Sequence, residues 1–295
     1  MVLIPRPALS KLDQQDKSRI EFLCIDPLCN FKNDIELGYP LGTVVIMAAN
    51  ASAPVHYAVL LFPGFQALDA FGPLDILNIV ALEQEIQLSI IGPTMDPVST
   101  KSPIPNFYTT TSTSHQSVVP THTYDAPPEN IDVMIVPGGF GTRHETIKPT
   151  VQFLIERYPR IRYLLTVCTG SYVAAQAGIL DGKKATTNKI RFDLVAAKAP
   201  HVNWVRQARW VVDGNIWTSS GVSAGMDEML AFVQEVYGRK LAVKVATILE
   251  YNWHEDSTTD PFANSPLVEM YGAGAADWYD FRAATAIGKD RASSQ

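Results

Sequence analysis

From His56 onward, continuous apolar runs alternate with stretches whose apolar residues recur every three or four positions. This alternation leaves few folds open to the chain. Tyr57-Ala58-Val59-Leu60-Leu61-Phe62 offers no charged residue to solvent, as expected of a strand buried on both faces of a sheet. Pro63-Gly64 ends the run, and Leu68, Phe71, Leu74, Ile76, Leu77 and Val80 follow at helical spacing. Residues 86–91 predict a second strand, ended by Gly92-Pro93. Val133-Met134-Ile135-Val136 predicts another, closed by Pro137-Gly138-Gly139, and residues 163–168 the next. Helices are predicted over 151–158, 171–180, 190–198, 225–237 and 240–251, the fourth ended by Gly238. The stretch 94–125 is rich in Ser, Thr and Pro and predicts loops with short edge strands. Trp210-Val211-Val212, Asp213-Gly214-Asn215 and Ile216-Trp217-Thr218 read as a hairpin with a tight turn. Strands alternating with helices in this order predict an α/β fold, a doubly wound and mostly parallel sheet.

Residues 1–52 lack this rhythm; within them only 42–49 reads as a strand or a buried turn. The chain therefore divides into an N-terminal appendage (1–52), an α/β domain (53–250) and a C-terminal tail of little pattern (251–295). Hydrophobic residues make up 46% and charged residues 18%, enough for a sizeable core. A net charge of −6, from 24 basic and 30 acidic residues, argues against nucleic acid as a partner, because phosphate contacts need a basic surface. The length left after the domain is also short for an appended helix-turn-helix unit. No apolar run approaches the span of a bilayer, and the first 18 residues hold no apolar signal core. Three cysteines cannot close a complete disulfide set; Cys24 and Cys29 could pair, yet nothing else points to secretion. A reducing, cytoplasmic setting is the simpler reading. Neither the thiols nor the isolated His144 and His201 have metal-ligand spacing, and no metal or cofactor is implied.

Cys168 is the residue most charged with chemical meaning. It ends the strand predicted over 163–168 and is followed at once by Thr169-Gly170-Ser171 and a helix. A thiol at that turn meets helix N-terminal N–H groups, which favour the thiolate and are expected to lower its pKa. In an open parallel sheet, ligands bind beyond the carboxyl ends of the strands, where Cys168 falls. The competing reading is a buried structural thiol. Asp69 follows the first strand and is either a first-turn carboxylate complementing the helix dipole or an acid/base partner for the thiol. Asp75, the competing carboxylate deeper in the same helix, reads as a solvated or capping group. Gly138-Gly139 after a strand would let backbone N–H groups approach a ligand, as half of an oxyanion hole completed by the N–H of Thr169, or would form an ordinary loop. Gly221-Val222-Ser223-Ala224-Gly225 reads as a helix-entry turn. No histidine adjoins Cys168; His115, His122 and His144 lie in loops, and no local Cys-His pair is visible.

These stretches together resemble the DJ-1/PfpI superfamily. The resemblance is carried by Leu61-Phe62-Pro63-Gly64-Phe65 with Leu68-Asp69 and Gly72-Pro73; Val136-Pro137-Gly138-Gly139; Val167-Cys168-Thr169-Gly170-Ser171; Ala177-Gly178-Ile179-Leu180-Asp181-Gly182 with Ala185-Thr186-Thr187; and Thr218-Ser219-Ser220-Gly221-Val222-Ser223-Ala224-Gly225-Met226-Asp227. It covers roughly residues 55–245 and implies a flavodoxin-like sheet of the class I glutamine amidotransferase kind. Within the superfamily the chain is most similar to the isonitrile hydratase subgroup. That likeness implies Cys168 as nucleophile, Asp69 as general acid/base, Thr169 as a contributor through its hydroxyl or N–H, and a homodimer. Many hydratases continue Ala-Thr-Thr with His-Trp. This chain has Asn188-Lys189, which puts an amide beside the presumed substrate-binding site in place of an ionisable ring.

The implied reaction is hydration of a small-molecule isonitrile through a cysteine thioimidate to an N-substituted formamide. Two rivals stand beside it: a redox-responsive or regulatory protein without turnover, in which an exposed low-pKa thiol oxidises, and a hydrolase or lyase acting on another small electrophile.

Overall fold

The computed structural model describes residues 2–4, 44–46, 53–105, 107 and 111–268. The chain forms two compact units, Met1–Ser52 and Ala53–Gln295. In the first, β1 (Val2–Ile4) pairs antiparallel with β2 (Val44–Ile46), so the 42–49 stretch contributes a strand. Cys24 and Cys29, and with them the possible pairing, lie outside the described residues.

The second unit is built on a seven-stranded sheet. Along the chain come β3 (His56–Leu60), α1 (Ala67–Val80), β4 (Gln87–Gly92), β5 (Val98–Ser99), β6 (Ser117–Val118), β7 (His122–Thr123) and β8 (Val133–Val136). Then follow α2 (Lys148–Arg157), β9 (Tyr163–Thr166), α3 (Gly170–Gln176), β10 (Lys184–Ala185), α4 (Phe192–Lys198) and β11 (Asn203–Trp204). The hairpin β12 (Trp210–Asp213) and β13 (Ile216–Ser219) precedes the last two helices, α5 (Ala224–Tyr237) and α6 (Arg239–Ile248). The strand order is β12-β13-β9-β8-β3-β4-β7. Every pairing in it is parallel except that of β12 with β13. The mostly parallel, doubly wound α/β sheet is thus present, and the carboxyl ends of β3, β8, β9 and β13 share one edge.

The all-apolar runs occupy the centre for the expected reason: Tyr57, Ala58, Val59 and Leu60 on β3 and Val133 to Val136 on β8 are all fully buried. On one face Phe232 of α5 meets Tyr57, Tyr163 and Trp217 edge-on, with ring centroids 6.4, 5.1 and 5.4 Å away. Such pairs add about 0.5–1.5 kcal/mol each beyond their buried area.

Boundaries differ from the sequence expectation in several places. The helix predicted over 171–180 stops at Gln176, because Gly178 takes φ +72° and the Ile179 N–H turns back to the Ala174 carbonyl at 3.1 Å. The helix predicted over 190–198 splits into a 3-10 turn, Lys189–Arg191, and α4. Residues just past 250, read as tail, are bonded to the domain. Asp227 Oδ1 accepts the Tyr251 hydroxyl and the His254 N–H, both at 3.0 Å, and the Ser257 carbonyl accepts the Arg209 N–H at 2.7 Å.

Candidate active site

Cys168 lies between β9 and α3 with φ +58°, one of two described non-glycine residues at positive φ. A side chain in this region costs of order 1–3 kcal/mol and persists only where the surroundings impose it. Here two hydroxyls grip its carbonyl oxygen, Ser171 Oγ at 3.0 Å and Thr187 Oγ1 at 3.1 Å. The turn places the thiol at the carboxyl edge of the sheet, 7% exposed.

Asp69 sits in the first turn of α1 and is fully buried. Its Oδ2 accepts the Gly138 N–H at 2.9 Å, from the loop after β8 rather than from its own helix. Oδ1 is buried without a backbone or hydroxyl partner, and the Cys168 thiol is the side chain that bonds to this carboxyl. Burial pushes the Asp69 pKa up to about 7, and the bonds from Gly138 and the thiol only partly offset that rise. The first-turn position alone would have held the acid down.

The thiol departs from expectation in the opposite direction from that predicted. Its pKa is raised well above the ordinary value, first by burial and then by the negative charge of Asp69. The Thr169 N–H, the Asn188 side chain and the Thr169 hydroxyl all favour the thiolate but do not prevail. α3 spans only seven residues, so the dipole at its start is small beside the cost of desolvating a sulfur anion. Thiol and carboxyl thus form a close pair, each holding its proton more firmly than in water.

The Gly138-Gly139 loop does not have the arrangement of an oxyanion hole. The Gly138 N–H is given to Asp69, and the Gly139 N–H is given to Thr169 Oγ1 at 3.0 Å. Thr142 Oγ1 lies 3.2 Å from the same Thr169 oxygen and 2.8 Å from the Gly139 carbonyl. Glycine is required at 138 for closeness: a Cβ there would stand 2.6 Å from the Thr169 nitrogen and 2.9 Å from Asp69 Oδ2. The loop thus brings Asp69, Thr169 and Cys168 together.

Asn188 joins them, since its side chain bonds to the thiol and its Nδ2 lies where a Cβ on Gly221 would be 3.4 Å away. Two residues of this site were missed in the sequence. Thr187 and Ser171 stand in motifs that carry the resemblance, but a hydroxyl's grip on a carbonyl nineteen or three positions away leaves no periodic signal. His115, His122 and His144 are not among the groups that shift the thiol. His144 bonds Thr146, His122 bonds Thr121, and His115 lines a surface cleft with Phe65, Gln66 and Phe140. Asp75 is exposed on α1, as expected. Among the described residues no group of three or more His, Cys, Asp or Glu side chains could hold a metal ion, and no helix is long and apolar enough to cross a membrane.

Comparison with known proteins shows the family. The isonitrile hydratase of Pseudomonas putida is 35% identical over 194 residues, spanning 65% of this chain and 76% of that protein. The HTH-type transcriptional regulator GbdR of Pseudomonas aeruginosa (strain UCBPP-PA14) is 33% identical over 134 residues, 44% of this chain but only 36% of the regulator. Among solved structures, a ThiJ/PfpI family protein from Pseudomonas syringae superposes with a TM-score of 0.60 at 25% identity, covering 80% of this chain and 91% of that one. The model of the DJ-1/PfpI family matches residues 56–235, a span that contains the whole sheet together with Asp69, Gly138, Cys168 and Asn188, and the chain belongs to that family.

Proposed function

We propose that the chain hydrates a small-molecule isonitrile to an N-substituted formamide, with Cys168 as nucleophile and Asp69 as the acid/base. The observation that carries this reading is the buried carboxyl, with a pKa of about 7, bonded to a thiol held at positive φ. Isonitrile hydration needs a nucleophile for a terminal carbon and a proton for that same carbon. One carboxyl beside one thiol supplies both.

In the first step Asp69, as carboxylate, takes the thiol proton while sulfur bonds to the isonitrile carbon, and it passes that proton to the carbon. The product is a thioimidate, Cys168–S–CH=N–R, with Asp69 again ionised. In the second step Asp69 draws a proton from water as the oxygen attacks the thioimidate carbon. The tetrahedral adduct then expels sulfur; of the two water protons one ends on nitrogen and one on the thiol, releasing R–NH–CHO. Asn188 and the Thr169 N–H, which favour charge on sulfur, act during attack and departure. The raised thiol pKa fits this scheme, because the proton required at carbon is stored on sulfur in the resting site.

Similarity to an isonitrile hydratase over three quarters of that protein's length supports the same reading. A peroxide-responsive role draws less support, since a buried thiol with a raised pKa holds little thiolate at neutral pH. The substrate is then a small molecule; a homodimer and a cytoplasmic setting belong to the same proposal. Formamide production from cyclohexyl isocyanide by the wild-type protein and by Cys168→Ala is the decisive comparison. Turnover that vanishes in a folded Cys168→Ala protein is the expected result, and turnover that survives it would overturn the mechanism.

A further inference from the structure

Lys189 directly follows Asn188, and its side chain is 2% exposed. Its ammonium donates to Thr186 Oγ1 at 2.8 Å, to the Ala208 carbonyl at 2.9 Å and to the Thr187 carbonyl at 3.3 Å. The countercharge comes from Asp260, whose side chain is 0% exposed and whose Oδ2 lies 3.6 Å from Nζ. That oxygen makes no hydrogen bond, while Oδ1 accepts the Phe262 N–H at 2.9 Å and the Asp260 N–H is given to the Gln207 carbonyl at 3.0 Å. The segment around Asp260 is therefore tied down by its own backbone and offers one carboxylate oxygen to Lys189. A buried pair of this kind is a poor source of stability, because desolvation offsets the attraction. Its effect is on geometry, and the geometry it governs is that of the 186–189 turn. Within that turn the Thr186 N–H bonds Thr218 Oγ1 at 2.9 Å, Thr187 grips the Cys168 carbonyl and Asn188 bonds the thiol.

We infer that Asp260, acting through Lys189, is a positioning residue for Cys168. The chain beyond α6 clamps the turn that holds both the backbone and the sulfur of the reactive cysteine. Asp260 lies outside the span matched by the family model. The inference rests on Cys168 being the reactive group, as proposed above, and not on the isonitrile chemistry. Arg206 and Arg209 also act on Lys189, but each has its own carboxylate, Asp193 and Asp227 respectively, which leaves Asp260 as the partner of Lys189. On the thiol side the one charge that acts among the described residues is Asp69.

The test is the rate of Cys168 alkylation by iodoacetamide in the full-length protein, followed by peptide mass spectrometry across the neutral and alkaline range. Asn188→Ala removes a bond that favours the thiolate, so its profile is expected to move to higher pH. Asp260→Asn, which keeps the shape and removes the charge, is expected to move the profile the same way and to slow alkylation severalfold at neutral pH. Added to Asn188→Ala, it is expected to move the profile less than it does alone. An Asp260→Asn protein that melts earlier yet keeps the wild-type alkylation profile would reduce the pair to a structural role and overturn the inference. If that variant fails to fold, Lys189→Met/Asp260→Asn, which removes both charges together, is read by the same criterion. A displaced profile in a protein that turns over no isonitrile would overturn the proposed reaction and leave the clamp standing.

Discussion

Replacing Asp69 with asparagine keeps an oxygen for the Gly138 N–H and removes the proposed acid/base. Formamide production is expected to fall by about 10²–10⁴-fold, the usual contribution of a positioned acid/base. In the proposed mechanism the carboxylate is the form that accepts the thiol proton, so kcat/KM is expected to rise as pH climbs through about 7. The same group makes stability depend on pH in the opposite sense. Its folded pKa is raised, so the native state binds more protons than the unfolded chain between the ordinary 3.8 and about 7, and stability is lost as pH rises through that window. At about 1.4 kcal/mol per pH unit the penalty approaches about 4 kcal/mol. Asp69→Asn is therefore expected to melt above the wild type at alkaline pH and level with it in acid; equal melting at every pH would show that Asp69 is not held protonated. Asp69 and Cys168 were both visible as residues of interest in the sequence, but the direction of the thiol's shift was not. Proximity to a helix start is legible in the order of residues, whereas burial and the distance to a carboxylate from another strand's loop are not.

At the scale of elements, periodicity located the strands and helices that surround the site, because burial on both faces forces an all-apolar run and burial on one face forces a helical stripe. It misplaced ends that side-chain bonds or a positive-φ glycine decide, as at Gln176. It also missed the polar groups that helices carry into the core. Glu228 on α5 is such a group. It is 1% exposed, accepts the Ser219 hydroxyl at 2.9 Å, and burial holds its pKa well above the carboxylate range. Because the folded state retains this proton, stability falls as pH rises above the ordinary 4.5. Glu228→Gln keeps the shape without the acid and is expected to raise the melting temperature, more at pH 8 than at pH 5. A melting curve that shifts equally at both values would mean that Glu228 is not titrating.

For the whole molecule, the alternation of strand and helix determined the class of fold, and the motif order pointed to the family. The region past residue 250 was the least legible part: its contacts with Asp227, Arg209 and Lys189 are made by the His254 N–H, the Ser257 carbonyl and the Asp260 carboxylate, single groups scattered along a segment without period. Charge is a property of the whole molecule too. With 30 acidic against 24 basic residues, duplex DNA is expected to remain unshifted by the protein at physiological salt in a gel assay. A salt-sensitive shift at micromolar protein would contradict this and draw attention to the similarity with GbdR. The spent amides at the carboxyl edge of the sheet have a further consequence. An ester or peptide bond under attack gathers negative charge on oxygen and asks for free donors, but the loop has already given its N–H groups to Asp69 and Thr169. An isonitrile gathers electron density on carbon and is quenched there by a proton. Under the proposed reaction, the same wiring that assembles the cysteine and its carboxyl would select among electrophiles by the atom on which charge accumulates.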